Sequence, residues 1–314
     1  MLPDKSPEFA LIESFRDQLR AVPGVELGIG DDAAIVEWGS RLGLLAADML
    51  LDGVHFDSSS QSPVEIGRKA LAVNLSDVAA MAGVPRFALV SLALPRSASD
   101  RLAVSVFEGL KSMANEFDTA IVGGDTTSWN GPFVINVAIV GEVAGERAVK
   151  RSGARPGDWL FVTGELGGSL SGRHLTFAPR VREAQTLHQT VELHAMIDVS
   201  DGLVADLYHI LEESGTGAIL NATAIPISAA ARHSAADQSP LEKALGDGED
   251  FELLFAVSPE DGAKLVSTNP LEIGLSHIGE ITAEPTCLLR TDTGALTPLP
   301  RLGWAHALSD PSPD

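Results

Sequence analysis

Aspartates recur beside glycine and other small residues at the predicted ends of short apolar segments. Four such places are GIGDD (28–32), LLAAD (44–48), IVGGD (121–125) and MIDVSD (196–201), and a fifth acid, Asp77, falls on a predicted helix. A carboxylate at a strand end is held by the sheet, and neighbouring glycines let a ligand approach the backbone. Magnesium binds carboxylate and phosphate oxygens. Taken one at a time, each aspartate fits a turn or helix cap, but the set favours several Mg²⁺ ions held against a polyphosphate.

Other candidate segments leave two interpretations open. The glycine loop 164–172 follows a predicted strand, so its backbone N–H groups either cradle a phosphate or form a plain turn. Lys150 and Arg151 are either a nucleotide contact or part of a solvated linker. His55 taken alone fits a packing residue, and the acids of GEDFE (248–252) are weakly specific.

Several familiar nucleotide and metal motifs are excluded. The stretch GIGDDA (28–33) matches GxGxxA, but AIVEW (34–38) follows it and is typical of a strand rather than the required helix. No GxxxxGK[ST], no protein-kinase motif set and no HExxH occurs in the sequence.

Composition narrows the class of protein. The 314 residues include 22 Lys and Arg against 43 Asp and Glu, a formal charge of −21, which argues against nucleic acid or an anionic membrane as partner. Cys287 is the only cysteine, so an intrachain disulfide and a cysteine metal cluster are excluded, and a reducing compartment is indicated. No leader pattern and no apolar run of about 18 residues is present, so we expect a cytoplasmic protein.

Helical and strand patterns mix in both halves, which predicts an α/β (α+β) protein. A polar, turn-rich stretch at 150–157 predicts a boundary between an N-terminal domain, 1–148, and a C-terminal domain, 149–314. Ser6 and Ser99 are predicted helix caps, and the tail 309–314 is predicted to be disordered. The main predicted helices are 63–81, 99–117, 181–193 and 203–213, and the main predicted strands are 33–36, 42–47, 87–94, 120–123, 133–143, 159–163, 195–199, 218–220, 251–257, 276–281 and 287–289.

The orientation of three of the acidic residues, Asp77, Asp198 and Asp201, can be predicted from helix and strand geometry. On the helix 63–81, Asp77 lies roughly 130° from the apolar stripe, with Asn74 on its side. Asp198 and Ser200 project to one face if the strand continues, and Asp201 then starts the next helix, where the dipole favours an anion.

Seven stretches, in this order, resemble the motifs of the thiamine-monophosphate kinase family: GIGDDAAIV (28–36), LLDGVHF (50–56), KALAVNLSDVAAMAG (69–83), GGDTT (123–127), RSGARPGDWLFVTG (151–164), IDVSDGL (197–203) and GEDFEL (248–253). This family is related to aminoimidazole ribonucleotide synthetase. The resemblance implies a two-domain fold with the nucleotide between the domains, and a homodimer formed through the N-terminal sheet. It implies transfer of the ATP γ-phosphoryl to thiamine monophosphate, with Mg²⁺ and K⁺ as expected ions.

The resemblance also implies residue roles. The metal ligands would be Asp32, Asp48, Asp77, Asp125, Asp198 and Asp201. The ATP contacts would be Gly124, Asp125, Arg151 and Ser200, and the thiamine-phosphate contacts His55, Glu249 and Trp304. No general base is expected, because the acceptor is already a phosphate oxygen and phosphoryl transfer needs mainly positioning and charge neutralisation.

Two departures from the family pattern leave alternatives open. Ala46 and Ala47 replace the usual Ser-Thr pair, and the segment 167–180 is shorter than usual. The number of metal ions therefore stays open, as do another small phosphate acceptor and a non-catalytic binder of thiamine phosphate or nucleotide. Selenophosphate synthesis is disfavoured because the N-terminal half has no cysteine, and Cys287 lies too far from the end for the hydrogenase-maturation role.

Overall fold

The computed structural model describes residues 7–97, 100–234 and 238–305. The predicted caps Ser6 and Ser99 and the predicted tail lie outside these residues. No described helix is long and apolar enough to cross a bilayer.

The first half forms a six-stranded sheet in the order β1-β2-β3-β6-β4-β5. Its β4–β5 pair is parallel and its other pairs are antiparallel. Because β5 lies at the edge, one side of that strand has no partner among the described strands. The strands are β1 (Val25–Leu27), β2 (Ala34–Trp38), β3 (Arg41–Leu51), β4 (Val84–Pro95), β5 (Ala120–Trp129) and β6 (Val134–Glu142), and the helices are α1 (Pro7–Gln18), α2 (Pro63–Ala80) and α3 (Asp100–Glu116).

Helix α2 lies at the centre of the molecule. It packs on β3 and β6 of the first sheet and also contacts elements of the second half. Most of its residues from Ile66 to Ala80 are buried, as expected for a core helix that is apolar around much of its circumference. Glycines allow its close approach to α3, since a Cβ added at Gly67 would lie 1.9 Å from the Val106 carbonyl oxygen.

The second half forms a seven-stranded mixed sheet in the order β13-β12-β9-β11-β7-β10-β8. The β12–β9 pair is parallel. The strands are β7 (Trp159–Thr163), β8 (Leu193–Asp198), β9 (Gly217–Asn221), β10 (Leu253–Val257), β11 (Leu275–Thr282), β12 (Cys287–Arg290) and β13 (Leu296–Pro298), and the helices are α4 (Arg173–Thr176), α5 (Val181–Thr190), α6 (Leu203–Ser214), α7 (Ala229–His233), α8 (Pro240–Gly246) and α9 (Pro259–Thr268). Because α2 contacts β8 and α5, it joins the two halves.

The predicted α/β class is confirmed, and the structure corrects several element boundaries. Strands β3 and β5 continue beyond Asp48 and Asp125, so these two acids lie within strands rather than at strand ends. The predicted strand 251–257 begins only at Leu253, because Phe251 has a φ of +49°. The predicted helix 181–193 ends at Thr190, and Leu193 already belongs to β8. The elements that were not predicted are strands β1 and β13 and helices α4, α7, α8 and α9. The domain boundary stays a prediction.

Candidate active site

A cavity of about 320 Å³ lies between α2, the middle of β3 and the loops of the second half. Its walls combine acidic and apolar side chains. The lining includes Asp48, Met49, Leu50, Val54, His55, Lys69, Val73, Asp77, Leu170, Asp198, Ser200, Asp201, Glu249, Phe251 and Trp304.

Four carboxylates from four different segments meet in one cluster: Asp48, Asp77 and Asp198 line this cavity, and Asp32 lines a neighbouring one. Asp32 precedes β2, Asp48 lies in β3, Asp77 lies in α2 and Asp198 ends β8. Carboxylate oxygens of Asp32, Asp77 and Asp198 all lie within 4.8 Å of one another. Asp48 joins the cluster through a side-chain hydrogen bond with Asp77. The fold therefore brings together four of the predicted acids, which are up to 166 positions apart in the sequence, and Asp125 is not among them.

Burial and like charge disfavour ionisation within this cluster. Burial raises the pKa of Asp77 well above its usual value, and the neighbouring charges of Asp48, Asp198 and Asp32 raise it further. Burial and the charge of Asp32 raise the pKa of Asp198 to about 8. A divalent cation relieves such repulsion, and an all-oxygen donor set fits a hard cation such as Mg²⁺.

Arg151 contacts the edge of the acidic cluster. Its Nη2 lies 2.6 Å from Asp32 Oδ1, and its backbone N–H donates to Asp31 Oδ2 at 3.1 Å. Burial and the charge of Asp32 raise the pKa of Asp31 to about 7. Arg151 therefore places a positive charge on the Asp32 side of the cluster, where both residues line a neighbouring cavity of about 430 Å³.

The predicted acceptor contacts lie together in the same cavity. His55, Glu249 and Trp304 all line it, and the backbone N–H of Trp304 donates to the Asp201 carbonyl at 2.9 Å. Leu170 is 62 % exposed and adds apolar surface beside them. The cavity thus has an acidic end and an end with aromatic and aliphatic walls.

Comparison with known proteins gives the same assignment as the motifs. The models "AIR synthase related protein, N-terminal domain" and "AIR synthase related protein, C-terminal domain" match residues 30–143 and 169–290. A thiamine-monophosphate kinase of Rhodopirellula baltica is 42 % identical over 96 % of this chain and 98 % of its own. The chain belongs to the thiamine-monophosphate kinase family.

Further members of the thiamine-monophosphate kinase family agree over most of their length. The Salmonella typhimurium enzyme is 38 % identical over 88 % of this chain and 91 % of its own. A solved structure of AaThiL complexed with AMPPCP and TMP has a TM-score of 0.83 and 32 % identity, covering 96 % of this chain and 97 % of that one.

Besides Asp32 and Arg151, two residues expected from the family resemblance, Gly124 and Asp125, do not line the cavity of this chain. Residue pairs run across the sheet from Asp48 to Val137, then to Val90 and then to Gly124, so about 14 Å of sheet separates Asp48 from β5. Asp125 also lies on the other face of the sheet, because its partner on β4 alternates with the buried Val90. The roles predicted for Gly124 and Asp125 therefore require a ligand or a second chain at the open face.

The start of α6 differs from the prediction. The helix begins at Leu203 after Gly202, whose φ is +118°, so Asp201 precedes the helix instead of starting it. Asp206 Oδ2 accepts the N–H groups of Asp201 and Gly202, each at 3.1 Å. Asp206 thus accepts the hydrogen bonds at the start of this helix, and Asp201 lies in the cavity wall.

Sequence reasoning assigned no role to three polar residues of α2 that organise the site, although it placed Asn74 on the same side of the helix as Asp77. Ser76 Oγ donates a hydrogen bond to Asp198 Oδ2, and Asn74 Oδ1 accepts the backbone N–H of Asp48 at 3.3 Å. The third is Lys69, whose side chain is fully buried. The signal was present, since a polar residue inside an apolar helix must find a partner when buried.

The glycine loop 164–172 is stabilised within the protein. Gly167 N–H donates to Asp250 Oδ2 at 2.7 Å, and Gly168 N–H donates to Asp247 Oδ2 at 2.8 Å. Because internal acids already accept from these two groups, the structure favours the turn over the phosphate cradle.

Proposed function

We propose that this chain transfers the γ-phosphoryl group of ATP to thiamine monophosphate, which gives thiamine diphosphate and ADP. The observation that carries the proposal is the convergence of Asp32, Asp48, Asp77 and Asp198 in one cluster, of which Asp48, Asp77 and Asp198 line the cavity that also holds the predicted acceptor contacts. Family membership and the relative complexed with AMPPCP, an ATP analogue, and TMP support the same assignment.

Magnesium ions fit the acidic end of the cavity. Asp32, Asp48, Asp77 and Asp198 would hold them, with Asp201 at the cavity wall. Bound magnesium would neutralise phosphate charge during transfer. The chain itself supplies the orientation: Ser76 fixes the Asp198 carboxylate, and Asn74 fixes the strand at Asp48.

The other end of the cavity suits a cationic aromatic acceptor. The indole face of Trp304 would stack against a thiazolium ring, and the Glu249 carboxylate adds a negative charge nearby. Leu170 and Val54 supply apolar contact for the rest of the ring system. The acceptor phosphate would then point towards the acidic end, where an ionised phosphate oxygen needs no base to attack.

A second copy of the chain would bring Gly124 and Asp125 to the nucleotide. The open face of the first sheet carries Phe87 and Leu89, each 46 % exposed, and β5 has a free edge among the described strands. Exposed apolar side chains beside an open strand edge are typical of an interface. We propose a homodimer through this sheet in which each site takes Asp125 from the partner chain.

Steady-state ADP release with a panel of acceptors tests the proposed activity. With ATP, Mg²⁺ and K⁺ present, we expect rapid turnover of thiamine monophosphate and little with thiamine or a nucleoside monophosphate. Turnover of a different phosphate acceptor alone would keep the reaction class and change the substrate. Tight binding of thiamine monophosphate without ADP release would identify a binder instead of an enzyme.

A further inference from the structure

Lys69 connects two of the predicted acceptor contacts from inside the protein. Its Nζ lies 2.7 Å from both carboxylate oxygens of Glu249 and 2.6 Å from the backbone carbonyl oxygen of His55. Lys69 belongs to α2, and Glu249 comes from the loop before β10, so this ion pair bridges the two halves of the chain.

The ammonium group of Lys69 is fully engaged within the protein. Its side chain is 0 % exposed, and its three N–H donors face three acceptors at hydrogen-bond distance. Such a group has no donor left for a phosphate. Lys69 lines the cavity, but its hydrogen bonds go to the Glu249 carboxylate and the His55 carbonyl.

The backbone of Glu249 has an unusual conformation that its hydrogen bonds hold in place. Its φ is +64°, a region that residues with a side chain rarely adopt. Its N–H donates to the Ser200 carbonyl at 2.6 Å, and its carbonyl accepts from Ser169 Oγ at 2.6 Å. These bonds fix the backbone, whereas Lys69 makes both of the hydrogen bonds described here for the carboxylate.

A buried ion pair is a poor choice for stability alone. Burial lowers the pKa of Lys69, and the charge of Glu249 opposes that shift. Replacing a buried pair with packed apolar residues is often neutral or stabilising. The Lys69–Glu249 pair therefore needs another explanation. The position of Lys69 between the Glu249 carboxylate and the His55 carbonyl provides one.

We propose that Lys69 is a positioning residue for the acceptor site, which sets the affinity for thiamine monophosphate by orienting Glu249 and the His55 segment. This inference rests on the proposed function. We assign Lys69 no role at the nucleotide, because Asp32 and Arg151 line a neighbouring cavity and make none of the contacts described for Lys69.

The primary test compares Lys69→Met with Arg68→Met, its neighbour on α2. Arg68 makes an ion pair with Glu116 at 3.0 Å, donates to the Phe177 carbonyl at 3.3 Å and does not line the cavity, so the control loses a charge and polar contacts from the same helix. For Lys69→Met we expect the KM for thiamine monophosphate to rise at least about tenfold, a loss of about 1.4 kcal/mol, with the KM for ATP changed less than about twofold. Arg68→Met should leave both values near wild type. Equal changes of both KM values in Lys69→Met, or an unchanged acceptor KM, would overturn the proposal.

A double-mutant cycle tests the route through Glu249. In a Glu249→Gln background, Lys69→Met should raise the acceptor KM much less than it does in wild type. The reason is that the contact between the Glu249 carboxylate and the acceptor, which Lys69 orients, is already lost. Additive effects would contradict the proposal. If Lys69→Met does not fold, Lys69→Arg keeps the charge and replaces the compact ammonium by a planar fork. It should still raise the acceptor KM severalfold without changing the ATP KM, and an unchanged acceptor KM would again overturn the proposal.

The wild-type enzyme separates the two claims. Absence of thiamine-monophosphate turnover by wild type counts against the proposed function. Wild-type turnover together with an acceptor KM that is insensitive to Lys69 counts against the positioning role alone.

Discussion

The Asp77 carboxyl of the acidic cluster lies where burial and neighbouring negative charges lower the stability of the fold. Asp77 lies among Asp48, Asp198 and Asp32, which raise its pKa through like-charge repulsion in addition to its burial. A turn former or helix cap would not be arranged in this way. Destabilising groups that persist in a cluster are typical of functional sites.

Asp77→Asn should separate function from stability. The change removes a charge from the cluster, so in a metal chelator at pH 8 we expect the variant to unfold at a higher temperature than wild type. Turnover should fall of the order of a hundredfold or more, because one anionic ligand is lost. Thermal unfolding with and without Mg²⁺ checks this, and Mg²⁺ should raise the wild-type Tm more than that of the variant.

The matched control for that experiment is Asp17→Asn on the exposed helix α1. It should change neither the Mg²⁺ response nor turnover. A variant Asp77→Asn with wild-type turnover and an unchanged response to Mg²⁺ would remove Asp77 from the site.

The buried carboxyl of Asp250, which lies outside the acidic cluster, should make the free energy of unfolding depend on pH. Burial raises its pKa to about 7, and its Oδ1 has no hydrogen-bond partner among the described residues. The folded state therefore holds a proton that the unfolded state releases near pH 4, so this group's contribution to stability falls as pH rises from about 4 to about 7. One such group contributes a slope of at most about 1.4 kcal/mol per pH unit.

Asp250→Asn should abolish that contribution while keeping an oxygen for the Gly167 N–H. Urea unfolding at pH 5 and pH 8 gives the comparison. We expect the variant to gain stability relative to wild type at the higher pH. A difference between the two proteins that is the same at both pH values would refute the shifted pKa.

The sequence predicted the acidic residues of the candidate site better than the buried polar residues that contact them. The aspartates were predictable because small residues and apolar segments surround them in the sequence. Lys69, Asn74 and Ser76 were missed because their partners, such as Glu249, lie far along the chain. Only the fold shows which distant acid a buried donor contacts.

At the scale of elements, α2 determines the geometry of the site. It carries Lys69, Asn74, Ser76 and Asp77, and it contacts both sheets. Its existence and length were predictable from Pro63 and the long apolar pattern. Its central position was not, since periodicity shows which residues are apolar but not that they are buried on both sides.

Strand lengths were the weakest part of the prediction, and for a physical reason. Glycines at 123 and 124 favour an end to the strand, yet β5 continues to Trp129 because pairing with β4 continues to Pro95. Pairing partners come from elsewhere in the chain, so local residue preferences cannot set these limits.

Gly109→Ala should disturb the site through the α2–α3 contact. A Cβ at this position would lie 1.9 Å from the Val64 carbonyl oxygen, so the helices must move apart. We expect a loss of about 1–3 kcal/mol in the free energy of unfolding, despite the better helix propensity of alanine. The KM for thiamine monophosphate should also rise, because α2 carries Lys69.

Gly28→Ala is the control, since nothing lies within 4 Å of the added Cβ and its φ is ordinary. Denaturant unfolding of both variants gives the comparison. Equal stability of the two variants would show that the helix contact tolerates a methyl group.

At the scale of the whole molecule, the position of Asp125 is the main argument for the proposed dimer. Asp125 lies on the open face of the first sheet, away from the carboxylates on the helix-covered face. The resemblance predicted both Asp125 and a dimer, and in the dimer proposed above Asp125 would reach a site only from the partner chain. In a twofold dimer, each site would combine one chain's cavity with the partner's β5.

Subunit mixing tests that dependence. Asp125→Asn and Asp77→Asn should each be nearly inactive, because each lacks one ligand at both sites. After subunit exchange, half of the dimers are mixed and one site in each is intact, so activity should recover to about a quarter of wild type. Exchange shown by co-purification of differently tagged chains without recovered activity would contradict the shared site.

The most direct measurement of the central claim is identification of the product by mass spectrometry. Purified protein is incubated with ATP, Mg²⁺, K⁺ and thiamine monophosphate, and ADP is measured in the same samples. We expect thiamine diphosphate to form in equal amount to ADP, and neither to form with Asp77→Asn. ADP without thiamine diphosphate, or no reaction by a folded wild-type protein, would contradict the proposed phosphoryl transfer.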